Sequence, residues 1–326
     1  MSSQFVINGR FFGLKITGIE RYATELTSRL PEDKFRVARP KRSLEGASGF
    51  AWDQLILPNL VRRDERLISL THLGPVSVPN QILVLHDAAV FDHPELFSKK
   101  AVLAYKYVLP RLSSSLDILI TSSEFSKKRI VDQIPIQENK VHVIHPGVSE
   151  LFYDKGKPSK KEPYILCYGT SDPRKNIKRA AEAWLKISED YPDYKLKIVG
   201  KESDFFAKNV LPRSKSIEQL GYVTDEELSI LYRNASLFLY PSLYEGFGLP
   251  IAEALASSTP VVASDIPVFR ELFSDDVKFV DPHSVESISH GIQSTLEGDI
   301  NETSSRKIFE TFNFSVTAQE FRKLTC

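Results

Sequence analysis

Two trains of short apolar runs, each run alternating with helix-length amphipathic segments, leave this chain few folds to choose from. In the first train Phe5-Val6-Ile7, Ile82 to Leu85, Asp117 to Thr121 and Val141 to Ile144 read as strands. Gly18 to Leu30 reads as a helix, and Ser122-Ser123-Glu124 opens another through Ile130 with a serine as N-cap. The polar stretch Asp154 to Pro163 has the composition of a linker. Beyond it the alternation restarts, with strands at Tyr164–Tyr168, Lys195–Val199, Ile217–Leu220, Ser236–Tyr240 and Val261–Ala263. Helices fall at Lys175–Asp190, Thr224–Arg233 and Pro250–Ser257, and Phe314 to Leu324 forms an amphipathic tail helix. Parallel strands need crossover connections, so this order implies an α/β protein with two parallel-sheet domains. Ligands of such sheets sit beyond the carboxyl ends of the strands.

Composition narrows the function. A length of 326 residues suits two domains, and 42% hydrophobic residues at zero net charge exclude global disorder. Two cysteines, one of them Cys326, make neither a disulfide framework nor a thiolate zinc site. No apolar run reaches the ~18 residues of a membrane span, and the start MSSQFVINGRFFG lacks a signal-peptide core. The expectation is a cytoplasmic protein, and the charge balance argues against a dedicated nucleic-acid binder. Residues 1–155 carry 21 Lys and Arg against 17 Asp and Glu, a modest basic excess. Within them Phe97 to Leu112 mixes Lys and Arg with Tyr and Leu at helical spacing. That pattern suits a helix packed on the sheet, and also peripheral contact with the inner membrane surface.

The segment most charged with chemistry is Tyr240-Pro-Ser-Leu-Tyr-Glu245-Gly246-Phe247-Gly248-Leu249-Pro250-Ile-Ala-Glu253. Gly246 and Gly248 permit a tight turn after an apolar strand, and Pro250 suits the first position of a helix. A helix starting there points its first N–H groups back into the turn, a seat for a diphosphate. Glu245 before the helix and Glu253 in its first turn can face one crevice, where a carboxylate accepts hydrogen bonds from a ribose diol. There is no strict Asp-x-Asp; the nearest approach is Glu202-Ser203-Asp204, and the histidines show no metal-ligand spacing. No cofactor and no metal are expected. The P-loop and the Gly-x-Gly-x-x-Gly turn are both absent.

In the form EGFGLPIAEA this segment resembles the donor-sugar motif of retaining glycosyltransferases of family 4, which have the GT-B fold. The resemblance runs along the chain in order, through Asn8-Gly9-Arg10, Thr17 to Tyr22, Leu85-His86-Asp87, Thr121 to Ser126, Ile144-His145-Pro146-Gly147, Tyr168-Gly169-Thr170, Pro173-Arg174-Lys175-Asn176 and Val261 to Asp265. It implies two Rossmann-like domains facing each other across a cleft. Residues 1–155 would form the acceptor side and 156–305 the nucleotide-sugar side, with residues 306–326 returning to the first domain. It implies that Glu245 contacts the transferred sugar, that Gly246, Phe247, Gly248 and Leu249 present backbone to sugar and diphosphate, and that Glu253 grips the ribose. Gly169, Thr170, Arg174 and Lys175 would line the phosphates, with Thr170 standing where many relatives carry arginine. His86 would sit at the donor sugar, Asp87 on the acceptor side, and Gly18 in the loop approaching the diphosphate or acceptor. The implied partners are a nucleotide diphosphate sugar and a glycan or lipid-linked acceptor, with GDP-mannose favoured as donor. A sugar-nucleotide epimerase acting without an acceptor, and a catalytically silent sugar-binding protein, are the alternatives from other classes.

Overall fold

The computed structural model describes residues 4–14, 18–71, 73–153, 161–169, 172–200, 211–298 and 305–325. Its chain divides into two units, residues 1–147 with 314–326, and residues 148–313.

The first unit is built on six parallel strands: β1 (Phe5–Asn8), β2 (Phe35–Ala38), β3 (Arg66–Ser69), β4 (Gln81–Val84), β5 (Leu116–Thr121) and β6 (Val141–Val143), in the order β2-β1-β3-β4-β5-β6. β1 and β4 are buried along their whole length, as strands covered on both faces must be. The alternation of side chains sorts them into two layers. Phe5, Ile7, Ile68, Ile82 and Ile120 pack with Leu26 of α1 (Gly18–Thr27) on one face. Val6 and Leu67 point the other way, to Trp52 and Leu57, in the stretch that follows α2 (Gly46–Ala51). On that same face Leu83 and Leu119 meet Leu109 and Leu112 of α4 (Lys99–Ser113), which follows the single turn α3 (Ala89–Asp92). α5 (Glu124–Gln133) completes this layer, opened by Ser123 accepting from the Ser126 N–H. β2 and β3 escape the sequence pattern because each carries an arginine. Arg36 is held by Glu65 at 2.5–2.6 Å, which lets a charged residue sit in a strand.

The second unit repeats the plan with β7 (Glu162–Tyr168), β8 (Lys195–Val199), β9 (Ile217–Gly221), β10 (Ala235–Tyr240), β11 (Val261–Ser264) and β12 (Lys278–Val280), in the order β12-β11-β10-β7-β8-β9. Its helices are α6 (Ile177–Ile187), α7 (Asp225–Asn234), α8 (Leu249–Ala256), α9 (Pro267–Phe273), α10 (Val285–Leu296) and α11 (Ser305–Thr311). Trp184 of α6 and Ile288 and Ile292 of α10 bury against Ile165, Leu237 and Val262. Thr224 and Glu227 form a capping box on α7. The last helix, α12 (Phe314–Thr325), belongs to the first unit, where Phe314, Ala318 and Phe321 join the α1 face.

The unit boundaries differ from the expected 155/156 and 305/306, and the packing gives the reason. Phe152 is fully buried with its ring 5.9 Å from Tyr232, and its carbonyl accepts from Ser257. Tyr153 stacks on Phe309 at 4.5 Å, and Val148 pairs with Asn313. Residues 148–153 and 305–313 are therefore tied to the second unit. Of the expected linker, residues 154–160 lie outside the described residues, as do Glu202-Ser203-Asp204. Two helix starts also shift. The helix expected from Lys175 begins at Ile177, because Asn176 takes the left-handed conformation (φ 56°) after a turn at Pro173–Lys175. α8 begins at Leu249, one residue early, so Glu253 falls in its second turn rather than its first.

Candidate active site

The strand order of each sheet reverses beside its first strand. In the second unit the chain runs from β7 outward to β8 and β9, then returns to place β10 on the other side of β7. The loops after β7 and β10 diverge there and open a crevice at the carboxyl edge. Gly169 follows β7, and a Cβ on it would lie 2.0 Å from Ile177 Cδ1, so only glycine lets the chain leaving the strand approach α6 this closely. Asn176 binds the loops together, its amide donating to the carbonyls of Pro241 (3.0 Å) and Pro282 (2.8 Å).

This arrangement brings Lys175 against Glu245, 2.6 Å from Nζ to Oε1. Lys175 also donates to the Tyr240 hydroxyl at 2.7 Å, and Tyr240 and Ser242 each donate to the same Oε1 at 2.7 Å. An ammonium has three N–H bonds, so two are committed here and one is left for a ligand. Burial would raise the Glu245 pKa, but the Lys175 charge and the bonds from Lys175, Ser242 and Tyr240 outweigh it and hold the carboxyl below its usual value. Burial, reinforced by the Glu245 charge, drives Tyr240 far up, so its phenol stays protonated. Arg174 is differently disposed. Asp172 grips its Nε and Nη2 at 2.7–3.2 Å and accepts from its backbone N–H, so much of its charge is balanced within its own turn. Burial pushes the Asp172 carboxyl up, and Arg174 overrides this and holds it low.

After Glu245 the turn is set by Gly248, at φ 101°, where a Cβ would sit 2.6 Å from the Phe269 ring. Gly246 is buried beside it, and Phe247 packs its ring between Phe273 and Phe312. Leu249 and Pro250 then open α8; proline has no N–H, and the Ile251 and Ala252 N–H groups turn back to the Gly248 carbonyl at 2.9 and 3.3 Å, so this helix start offers chiefly its dipole and the Leu249 N–H. Glu253 lies inside, 3% exposed, with the Tyr232 hydroxyl donating to Oε2 at 3.5 Å. Thr170 lies outside the described residues.

In the first unit the reversal falls between β1 and β3. His86 follows β4, its ring edge-on to Tyr22 at 4.8 Å and hydrogen-bonded to the Leu70 backbone. Its Nε2 is buried with no partner among the described residues, so the Leu70 bond falls to Nδ1. Burial lowers its pKa to about 4, against a smaller upward effect of that bond, so at neutral pH the ring is uncharged and Nε2 is an acceptor. Asp87 uses Oδ1 to accept from the Ala89 N–H at 2.9 Å. Gly18 is the exposed first residue of α1, and among the described residues a Cβ there would meet nothing within 4 Å. After β1, Arg10 forms a 2.8 Å ion pair with buried Asp53, which also accepts from Asn8 at 2.9 Å. Burial raises the Asp53 pKa, with Arg10 and Asn8 opposing.

Residues 149–310, nearly the whole second unit, match the family described as "Glycosyl transferases group 1". The chain is 31% identical over 237 residues to the O-antigen chain mannosyltransferase RfbU of Salmonella typhimurium, a match covering 71% of this chain and 65% of that protein. It is 31% identical over 245 residues to O-antigen chain mannosyltransferase B of Escherichia coli, covering 69% and 63%. The chain is a GT4-like member of the group 1 glycosyltransferase family. The match spans slightly less than two thirds of the length of both relatives. HepE of Anabaena, solved in complex with UDP and glucose, superposes with a TM-score of 0.76 over 98% of each chain at 14% identity, a likeness of fold. The fold of this group 1 family member is GT-B.

The structure gathers Gly169, Arg174, Lys175, Glu245, Gly246, Phe247, Gly248, Leu249 and Glu253 in the second unit and places Gly18, His86 and Asp87 in the first. Sequence reasoning on this group 1 family member missed three side chains that shape the site: Asp172, Tyr240 and Ser242. Tyr240 and Ser242 lie inside the Tyr240–Glu253 segment and Asp172 just before Pro173, and the signal was polar residues crowded after a buried strand. Among the described residues no three His, Cys, Asp or Glu side chains converge as metal ligands would, and no helix is long and apolar enough to cross a membrane.

Proposed function

We propose that this protein is a retaining hexosyltransferase that moves mannose from GDP-mannose to a glycan or lipid-linked acceptor, in the synthesis of a bacterial surface polysaccharide. The observation that carries the reading is the 2.6 Å contact of Lys175 with Glu245 at the point where the β7 and β10 loops part. It sets a cation with one uncommitted N–H beside a carboxylate whose second oxygen takes none of the Lys175, Tyr240 and Ser242 bonds. The mannosyltransferase relatives support the choice of sugar.

In this mechanism Lys175 and the start of α8 neutralise the leaving diphosphate, where negative charge grows in the transition state. Glu245 Oε2 accepts from a sugar hydroxyl and Glu253 from the ribose. His86, as a neutral acceptor through Nε2, orients a hydroxyl, and Asp87 stands on the acceptor side. The bond from the anomeric carbon to the phosphate oxygen breaks, and the acceptor oxygen bonds to that carbon on the same face. The acceptor proton passes to the departing phosphate oxygen. No metal is needed in this mechanism, since Lys175 and the helix start supply the positive charge, while Arg174 is held by Asp172. The protein works in the cytoplasm or against the membrane's cytoplasmic face. Incubation with GDP-mannose, UDP-hexoses and dTDP-rhamnose, with and without acceptor, tests this. The expected result is GDP release that depends on acceptor and an α-linked product by NMR. Turnover without acceptor would instead make the protein an epimerase, and nucleotide binding without turnover would make it a silent binder.

A further inference from the structure

One layer of the first unit carries an unusual amount of apolar surface. The stretch around α2 is pinned from inside, with Trp52 and Leu57 in the core, Asp53 paired to Arg10, and Gln54 bonded to Gly74 and Val76. Outside it turns Phe50, Leu55 (70% exposed), Ile56 (51%) and Leu60 to solvent. Beside it lies α4, on the same face of the sheet, because Leu67 and Leu83 project to one side of the paired β3 and β4. α4 buries Val108, Leu109 and Leu112 and exposes Leu103 (70%) and Tyr107 (57%) one turn apart. Arg111 lies 3.5 Å over the Tyr107 ring. Six of the ten large apolar side chains exposed among the described residues are in this layer. A soluble surface rarely concentrates them so, and such patches mark contact with a protein or a membrane.

The charge around the patch selects between these. α4 carries Lys99, Lys100, Lys106 and Arg111 and no carboxylate. The stretch around α2 is flanked by exposed Arg39, Lys41, Arg42, Arg62 and Arg63, against exposed Glu45 and Asp64. A second copy docked through this face would set basic side chains against basic side chains. We propose that this layer, with its apolar side chains entering the headgroup boundary and its basic rim on anionic headgroups, is where the first unit rests on an anionic lipid surface. This deepens the reading above by naming the surface that meets the membrane of a lipid-linked acceptor.

Sedimentation with vesicles tests it without donor or acceptor, so its outcome is separate from that of the transfer assay. Full-length protein should sediment with vesicles of phosphatidylglycerol and phosphatidylcholine, and not with phosphatidylcholine alone. Leu55→Glu with Ile56→Glu should abolish this while leaving the melting temperature and nucleotide affinity unchanged. Lys100→Ala with Lys106→Ala should weaken it roughly 25-fold, at about 5-fold for each basic side chain near an anionic surface. Absence of wild-type binding overturns the proposal, even if mannose transfer to a soluble acceptor succeeds. Equal binding to neutral vesicles overturns it too. So does a solution dimer that the Leu55/Ile56 pair of substitutions dissolves, since the patch would then be covered by a second copy.

Discussion

The carboxyl edges of the two sheets share a strand reversal but spend their charges differently. In the second unit Lys175 and Glu245 stay partly exposed, each about 15% open, with bonding capacity left over. In the first unit the ion pair of Arg10 with Asp53 is sealed, 9% and 1% exposed, and His86 carries no charge at neutral pH. A polar group that stays wet can trade partners with a ligand. A sealed ion pair such as Arg10 with Asp53 holds loops in place, because exposing either charge unpaired costs too much. The Lys175–Glu245 pair is therefore organised for binding and the Arg10–Asp53 pair for support.

The largest effect should come from breaking the sealed pair. Asp53→Ala strands Arg10 in the core and should destabilise by about 3–5 kcal/mol, read by chemical denaturation, with nucleotide affinity of the folded protein unaltered. A loss of affinity to match would erase the distinction between the edges. Next, Lys175→Ala should lower turnover by about 10²–10³, as removal of a donor that meets growing transition-state charge does. Unchanged initial rates would assign Lys175 to structure, as Arg10 is.

His86 gives a pH test of the first edge. Its folded pKa of about 4 lies below the unfolded value near 6.5, so the unfolded state binds the proton first as pH falls. Stability is full above 6.5, falls between 6.5 and 4, and loses on the order of 3 kcal/mol from this group. His86→Gln should flatten that part of the curve; an identical curve would mean the ring is not held neutral. On the second edge, Glu253→Ala should weaken nucleotide binding by about 1.5–3 kcal/mol, roughly 10- to 150-fold, as measured by calorimetry. Wild-type affinity would remove the ribose role. The smallest expected effect is that of EDTA, which should leave turnover unchanged. Loss on chelation, restored by magnesium or manganese, would require a metal at the second edge.

Much of the architecture was open to a reader of the sequence, because local patterns carry it. Strands buried on both faces need continuous apolar runs, so Ile82 to Leu85 and Ser236 to Tyr240 announce themselves. The turn at Gly248 and the helix after it were legible because positive φ and an early proline are properties of single residues. β2 and β3 were not, since their arginines are tolerated only through a partner such as Glu65, which lies 29 residues from Arg36. The same holds for the site. Sequence named Lys175 and Glu245 separately, but their contact spans 70 residues and exists only because β10 returns to the side of β7. Arg174 sits one residue away with the same charge, yet Asp172 in its own turn occupies it. Leu55 and Ile56 face outward because Trp52 and Leu57 of the same stretch pack into the core, an orientation that no local pattern announces. Periodicity tells which side chains share a face, being a property of backbone geometry. Which face finds a cover, and which charges meet, is decided by loop closures across the whole sheet.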